Sequence, residues 1–301
     1  MITSRPLTTD DLEAAVALLH ADDRRWFGEP VLTPEDVRVE WDRPGFDLAT
    51  SSEGWFEDAG PGGEEVLVAL ATLSNRGDLA MAVDRAWEGA GLEETLLQRW
   101  EDEARRRGLS SLDRDLAAED AEGLARLAGR GWQVDEEGWI LRLEGTTPLE
   151  AGSLPDGYGI RAVQEVDLPE VHRVVMEAFA RYGPSRPYED WRSGMVDRAD
   201  VTLGHWRLAS HGSTVVGACL VQDPLGGSSA GEAWVPQVAV VEEHQRRGLA
   251  SELLVRVALA ARERGVPRLG LFTYEATGAR GLYERLGMRV VHTLRTCTLE
   301  L

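Results

Sequence analysis

The sequence predicts an α/β (α+β) protein of two tandem domains, each a mixed, mostly antiparallel twisted sheet flanked by helices. Three observations predict this fold class. The 301 residues are enough for two domains of about 150 residues that each bury a core. The two halves of the chain resemble each other, and both hairpin turns and helices connect the strands expected in the second half.

The repeat consists of three segments of the first half that recur in the second half in the same order. The matching pairs are residues 5–12 and 161–168, residues 91–108 and 248–265, and residues 121–127 and 279–285. We therefore predict domains over 1–150 and 151–301. They meet at segment 146–155, whose Thr, Pro and Gly content is typical of a linker.

The second half reads as alternating strands and helices. Strands are predicted at 158–163, 205–210, 214–222, 234–241 and 268–274, with a strand pair at 288–300, and helices at 167–181, 248–264 and 277–286. Residues 211–213 form a hairpin turn, and Pro224–Gly231 is predicted to be a loop. A sheet with both kinds of connection should be mixed.

Composition excludes several classes of protein. The net charge of −20 argues against a nucleic-acid surface. The chain has no apolar run long enough to span a membrane and no apolar leader, so we expect a cytoplasmic protein. Residues 1–150 hold 15 arginines and 34 acidic residues, whereas residues 151–301 hold 17 and 18. A phosphate-bearing ligand should therefore prefer the second half.

Residues 245–251, here called the glycine loop, join an apolar strand to a helix. Gly248 and the small residues after it let an anion approach the backbone N–H groups at the helix start, and two arginines add positive charge. This arrangement predicts a pyrophosphate site. The residues expected to line this site are Gln245, Arg246, Arg247, Gly248, Leu249, Ala250 and Ser251 of the loop.

The glycine loop resembles the Q/R-x-x-G-x-G/A motif of the GNAT superfamily of N-acetyltransferases, and residues 282–288 resemble that family's L-Y-E-K-L-G-F segment. The resemblance implies that the loop binds the pyrophosphate of acetyl-CoA as a co-substrate, without a metal. It also implies that the strand before the loop, with the cofactor-binding residues Val238, Ala239 and Val240, holds the pantetheine arm and the thioester carbonyl. A tandem arrangement with one degenerate copy is similar to that of mycothiol synthase.

The first half has lost the features that this site needs. Its matching loop, residues 86–92, keeps the glycine spacing, but Glu88 and Ala90 stand opposite Gln245 and Arg247. A carboxylate repels a pyrophosphate. We therefore expect one cofactor per chain, in the second half.

The resemblance makes Tyr283 the expected proton donor to the leaving thiolate, and a phenol is a suitable acid for a basic leaving group. A core tyrosine that packs on the cofactor strand is the alternative. Glu232 is the expected water-mediated base, because it is the acid on the approach to strand 238–240. The other candidates for the base are His205, His211, His244 and the carboxylate of Leu301.

We expect the acceptor to be the primary amine of a small molecule. The segment after the first helix of the second half, with Phe179, Arg181, Tyr182, Tyr188 and Trp191, either lines its pocket or forms a packed loop. Two functions stay open at this point: an N-acetyltransferase, acting as a monomer or homodimer, and an acyl-CoA-binding regulator without turnover.

Overall fold

In the computed structural model, which describes residues 2–58, 65–224 and 231–301, the chain forms two compact units. The first comprises Met1–Gly138 and Thr293–Leu301, and the second comprises Trp139–His292. These units differ from a division at residue 150, because residues 139–150 lie in the second unit and residues 293–301 in the first. Most of the loop predicted at Pro224–Gly231 lies outside the described residues.

The first unit contains a four-stranded antiparallel sheet of order β1-β2-β3-β4. Its strands are β1 (Ile2–Arg5), β2 (Ser52–Asp58), β3 (Glu65–Leu73), β4 (Leu79–Val83) and β5 (Ser111–Ala117). Its helices are α1 (Leu12–Phe27), α2 (Pro34–Trp41), α3 (Leu48–Ser51), α4 (Leu92–Arg107) and α5 (Ala121–Gly129). Strand β5 pairs antiparallel with residues 294–300 and forms one parallel bridge, Asp78 with Asp113.

The second unit repeats this plan with a sheet of order β7-β8-β9-β11 and a parallel pair, β10 with β12. Its strands are β7 (Tyr158–Ala162), β8 (Arg207–His211), β9 (Thr214–Cys219), β10 (Glu232–Val235), β11 (Val238–Val240) and β12 (Arg268–Tyr274). Its helices are α6 (Leu168–Phe179), α7 (Tyr188–Met195), α8 (Leu249–Glu263) and α9 (Arg280–Arg285). The short helix α7 is absent from the sequence prediction.

Two strands continue from one unit into the other: β6 (Gln133–Leu143) and β13 (Arg289–Glu300). The strand pair predicted at 288–300 is wrong, because β13 is one uninterrupted strand. Its sequence contains no Gly, Pro, Asn or Asp that could form a turn.

An ion pair appears at equivalent positions in the two units. Arg5 donates to both carboxylate oxygens of Asp11, at 2.7 and 2.8 Å, just before α1. Arg161 donates to both oxygens of Asp167, at 2.6 and 2.6 Å, just before α6. The same strand order and the same capping contact agree with the repeat predicted from the sequence.

Candidate active site

The glycine loop lies between β11 and the longest helix of the second unit. A turn of 3-10 helix (Glu242–His244) leads into the loop, and α8 begins after Gly248. Gly248 has a φ of 80° and Arg246 a φ of 57°, the only positive φ of a described non-glycine residue. Two left-handed residues this close turn neighbouring N–H groups toward one side, as in anion-binding backbone nests. The conformation of Arg246 costs about 1–3 kcal/mol, a strain typical of functional segments.

The side chains of the loop supply positive charge. Arg246 and Arg247 are exposed, and neither guanidinium has a hydrogen bond or ion pair with a residue that the structure describes. Gln245 has a different role from the one expected: its Nε2 donates to the carbonyl oxygen of Val240 at 2.9 Å. This bond ties the loop to β11, while two arginines stand free beside the positive end of α8.

The strands before and after the loop diverge. Strand β10 pairs with β12 as far as Val235 and Leu271, whereas β11 pairs with β9, Val238 opposite Cys219. Pro236 lies at the break, and a proline cannot donate to a ladder. The single strand predicted at 234–241 is therefore two strands in different sheets. Within the described residues, the diverging parts of β11 and β12 are not paired with each other.

One edge of β11 is open for a ligand. The N–H of Leu220 donates to the oxygen of Gln237, and the N–H of Val241 donates to the oxygen of Val216, so the odd-numbered residues face β9. In an antiparallel pair the intervening residues point their polar groups to the other side. The N–H and C=O groups of Val238 and the N–H of Val240 therefore point to the open edge, where an extended amide chain can add hydrogen bonds. The Val240 carbonyl oxygen already accepts from Gln245.

Tyr283 lies on α9 and is buried, with 6% of its surface exposed. Burial raises the pKa of its phenol, and the Cys219 thiol raises it further, whereas a hydrogen bond with the Thr273 hydroxyl acts in the opposite direction. Thr273 belongs to β12 two residues beyond the last pairing with β10. The phenol is therefore placed at the divergence of the strands, and its raised pKa keeps it protonated at neutral pH.

A chain of hydroxyl groups orients the Tyr283 proton. The hydroxyl of Thr277 donates to the carbonyl oxygen of Tyr274 at 2.7 Å, so it must accept the 2.7 Å bond from Thr273. While Thr273 donates to Thr277 it can only accept from Tyr283, so the lowering of the phenol's pKa requires Thr273 to turn and donate to the phenolate. These threonines were not expected from the sequence, although Thr273 is a polar residue in the inward-facing series of β12.

The segment after α6 approaches Tyr283. Tyr182 is close enough to raise the pKa of Tyr283 electrostatically, and it is 40% exposed. Trp191 is fully buried and points its indole N–H at the side-chain oxygen of Gln237 at 3.4 Å. Of the aromatic residues expected to meet the acceptor, Tyr182 is partly exposed, whereas Trp191 is a core residue.

The comparison with known families agrees with this geometry. Residues 168–288 match the model of the acetyltransferase (GNAT) family. The chain carries a GNAT domain. The match extends from the start of α6 to the residue before β13, so it includes the glycine loop and Tyr283. GNAT enzymes transfer acyl groups from acyl-CoA, so the match supports an acyltransferase function for residues 168–288.

Solved structures share the fold of the whole chain. A GCN5-related N-acetyltransferase from Sphaerobacter thermophilus aligns with a TM-score of 0.79 and 26% identity, over 99% of this chain and 95% of its own. A tandem GNAT protein from the clavulanic acid biosynthesis pathway aligns with a TM-score of 0.75 and 15% identity, over 100% and 98%. These similarities confirm the predicted fold class, two tandem GNAT folds.

A more distant similarity comes from N-myristoyltransferase of Saccharomyces cerevisiae, solved with myristoyl-CoA. It aligns with a TM-score of 0.67 and 12% identity, over 99% of this chain and 79% of its own. Among curated proteins, no relative matches the chain.

The first unit keeps the backbone of the GNAT loop but fills it with acids. Gly89 and Gly91 have φ values of 74° and 80°, as Arg246 and Gly248 do in the second unit. The carboxylate of Glu88 forms an ion pair with Arg25. At the first turn of α4, two further carboxylates both pair with Arg126; they belong to Glu93 and Glu94. Acids thus stand where the GNAT domain has free arginines.

Glu232 does not lie beside Tyr283. In the parallel pairing of β10 with β12, Glu232 lies opposite Arg268 at the start of β12. Tyr283 instead contacts Thr273, and positions 268 and 273 of a strand are about 16 Å apart. The Oε2 atom of Glu232 is 2.8 Å from the Arg142 guanidinium, and its side chain is 5% exposed. The structure therefore places Glu232 in a buried ion pair. This pairing was not foreseen, because Arg142 is 90 positions away in sequence.

The other candidates for the base also have partners of their own. His205 contacts Asp223, with 2.6 Å between Nδ1 and Oδ2, and His244 contacts the Tyr158 hydroxyl at 2.7 Å. The ring of His211 stacks on Tyr158 at 4.6 Å between centroids, and Leu301 belongs to the first unit. Among the described residues there is no group of histidine, cysteine and carboxylate side chains that could hold a metal ion.

Proposed function

We propose that the GNAT domain transfers an acetyl group from acetyl-CoA to the primary amine of a small molecule, with one acetyl-CoA per chain. The observation that carries this proposal is the glycine loop, where two unpaired arginines and a left-handed backbone stand at the end of an open strand edge. Pyrophosphate would bind the loop, and the pantetheine amides would bind the edge at Val238 and Val240. No helix among the described residues is long and apolar enough to cross a membrane, which fits our proposal of a cytoplasmic enzyme.

Tyr283 is proposed as the proton donor to the leaving thiolate. In an amine transfer the nucleophile adds to the thioester carbon, and the C–S bond then breaks, leaving a thiolate that needs a proton. The phenol of Tyr283 is protonated at neutral pH and lies where the strands diverge. Once it has donated, Thr273 can rotate and donate to the phenolate, since its hydroxyl has only one other acceptor, Thr277.

The acceptor is proposed to be a small cationic amine. The excess of 34 acidic residues over 15 arginines in residues 1–150 gives the protein a negative field that raises the local concentration of cations. The ring of Tyr182 is not proposed as the ammonium site, because the Arg181 guanidinium already lies over it, 4.6 Å from its centroid. Glu232 is not part of this proposal, because Arg142 holds its carboxylate.

The deciding experiment combines turnover with binding. Release of free CoA is followed with acetyl-CoA, octanoyl-CoA and myristoyl-CoA, each against a panel of primary amines that includes polyamines, amino sugars and aminoglycosides. We expect turnover with acetyl-CoA and at least one amine, and a stoichiometry of one in calorimetric titration with CoA. Tight CoA binding without turnover for any amine would favour the acyl-CoA-binding regulator instead. Absence of both binding and turnover would refute the proposed site.

A further inference from the structure

His172 of α6 has one ring nitrogen in a hydrogen bond and the other open. Its Nε2 atom is 2.8 Å from the carbonyl oxygen of Arg186. A carbonyl oxygen can only accept, so Nε2 must carry a hydrogen, and in the neutral ring the lone pair lies on Nδ1. The Nδ1 atom has no bond to any residue that the structure describes, and it is not among the polar atoms sealed from solvent there. The ring can therefore accept a proton at Nδ1 while Nε2 keeps its bond.

The orientation of this imidazole is fixed by contacts that do not involve Nδ1. Two aromatic rings of α7 lie beside it: the ring centroid of Tyr188 is 5.4 Å away, edge-on, and that of Trp191 is 5.3 Å away. The segment that accepts from Nε2 is itself held on α6, since the N–H of Arg186 lies 3.2 Å from the sulfur of Met176. Ring contacts on one helix and a backbone bond on the other thus hold the side chain in place.

The same aromatic cluster connects His172 to the break between β10 and β11. The indole N–H of Trp191 points at the Oε1 atom of Gln237, at 3.4 Å, and Gln237 follows Pro236 at the break. Helix α6 also packs against β11. The open edge of β11 runs from the glycine loop to this break, so a pantetheine arm bound along it would bring its thioester end toward Gln237. One indole ring then separates the imidazole from the reacting end of the cofactor.

We propose that His172 is the general base of the acyl transfer and takes a proton at Nδ1 from the ammonium group of the acceptor, directly or through one water. The assignment rests on the proposed function, which names no base. An imidazole takes up and releases protons near neutral pH, as this role requires.

The charged surroundings of His172 are simple. The titratable side chain in ring contact with it among the described residues is Tyr188 on α7. From the segment between α6 and α7, the group that meets the ring is a backbone carbonyl. The side chains one turn away on α6 carry no charge: Leu168, Pro169, Val175 and Met176. No carboxylate is therefore recorded in contact with the ring within the described part of the chain.

The proton balance of the reaction closes with groups already described. Conversion of an ammonium group to an amide removes two N–H protons. His172 takes the first and passes it to solvent, and the freed lone pair forms the C–N bond. The C–S bond breaks with its electron pair on sulfur, Tyr283 protonates the thiolate, and the second N–H proton restores the phenol through water. One proton is released for each amide formed.

His172→Gln tests the assignment, because a glutamine amide can still donate to the Arg186 carbonyl oxygen but cannot take up a proton. At pH 7 its kcat should be about 100-fold below the wild type, with an unchanged melting temperature and an unchanged affinity for CoA. Between pH 7 and 9 its kcat should rise about tenfold per pH unit, since an alkylamine with a pKa of about 10 increasingly supplies its own neutral form. The wild-type kcat should stay constant over this range.

His20→Gln is the matched control for His172→Gln. His20 lies on α1 of the first unit, and its Nε2 is 3.0 Å from the carbonyl oxygen of Leu32. The substitution therefore removes a helix histidine with the same kind of bond outside the GNAT domain, and kcat should not change.

A second readout does not depend on turnover. Long-range proton–nitrogen NMR correlations should show the neutral ring of His172 as the tautomer with its hydrogen on Nε2. The signal is identified by its absence from the spectrum of His172→Gln. A neutral ring with its hydrogen on Nδ1 would overturn the proposal, because the lone pair would then lie on the other nitrogen.

The kinetic result would overturn the assignment if the wild type turns over and His172→Gln keeps its kcat at pH 7, or loses the same factor at every pH. Absence of turnover in the wild type would instead refute the proposed function, and this assignment with it, so the two failures are distinguishable. His172→Ala guards against a local change of fold in His172→Gln. Added imidazole should restore part of its activity, and no restoration would count against His172 as the base.

Discussion

Replacing Tyr283 by Phe should separate catalysis from binding. The change removes one buried hydroxyl and leaves the ring in place. The hydroxyl contacts Thr273, and Thr273 keeps its 2.7 Å bond to Thr277, so one net hydrogen bond is lost. That loss costs about 0.5–1.5 kcal/mol of stability.

Loss of a general acid typically lowers the rate by about 100- to 10,000-fold. We expect the lower end of this range, about 100-fold in kcat or about 2.7 kcal/mol of activation free energy, since water can protonate the thiolate slowly.

The assay is steady-state release of CoA together with calorimetric titration of CoA on the same protein. The affinity for CoA should stay within a few-fold of the wild type, because the phenol is expected to meet the sulfur and not the pyrophosphate. The wild-type kcat should stay constant as the pH rises from 7 to 9. Tyr283 must be protonated to act as the acid, and its pKa is raised above the ordinary tyrosine value of about 10. An alkaline loss of kcat between pH 7 and 9 would contradict this reasoning.

Tyr182→Phe is the matched control for Tyr283→Phe, since it removes the hydroxyl of the neighbouring tyrosine. Full activity in Tyr283→Phe with loss in Tyr182→Phe would transfer the role of proton donor to Tyr182. Loss of CoA binding in Tyr283→Phe would show that Tyr283 is a packing residue.

Three further predictions concern single side chains. Thr273→Val removes the bond that lowers the pKa of the phenol and should reduce kcat by about 2- to 10-fold, with kcat unchanged only if Thr273 has no role. Arg247→Glu should weaken CoA binding by at least tenfold, as seen by calorimetry. Arg76→Glu makes the same charge change at an exposed arginine of the first unit and should have no effect. Asp11→Asn should lower the free energy of unfolding by about 1–2 kcal/mol at pH 7. The Arg5 guanidinium lowers the pKa of Asp11 to about 2, so in urea unfolding the difference from the wild type should shrink as the pH falls from 4 to 2.

The sequence predicted the repeat and the glycine loop because both depend on local patterns. Glycines that require a left-handed backbone, such as Gly91 and Gly248, mark the helix starts in both units. The alternation of apolar residues located β12 with its correct bounds, Arg268–Tyr274. Local geometry of this kind depends on the identities of a few neighbouring residues, which the sequence shows directly.

The features that the sequence did not predict depend on contacts between distant residues. Glu232 was a plausible base because it precedes the cofactor strand, but the partner that occupies it, Arg142, comes from another part of the chain. The split of the strand at Pro236 also follows from tertiary structure, since the proline is compatible with an edge strand as well as with a break.

The crossing of β13 from the second unit to the first has a consequence for biosynthesis. Cys297 and Leu299 are buried in the core of the first unit, yet in the chain they follow the whole of the second repeat. The first unit can therefore complete its core only after the second repeat has been synthesised, although most of its own sequence emerges first. For the same reason, loss of the second repeat in evolution would leave the first without the strand that pairs with β5, so the degenerate repeat and the repeat with the glycine loop are inherited together.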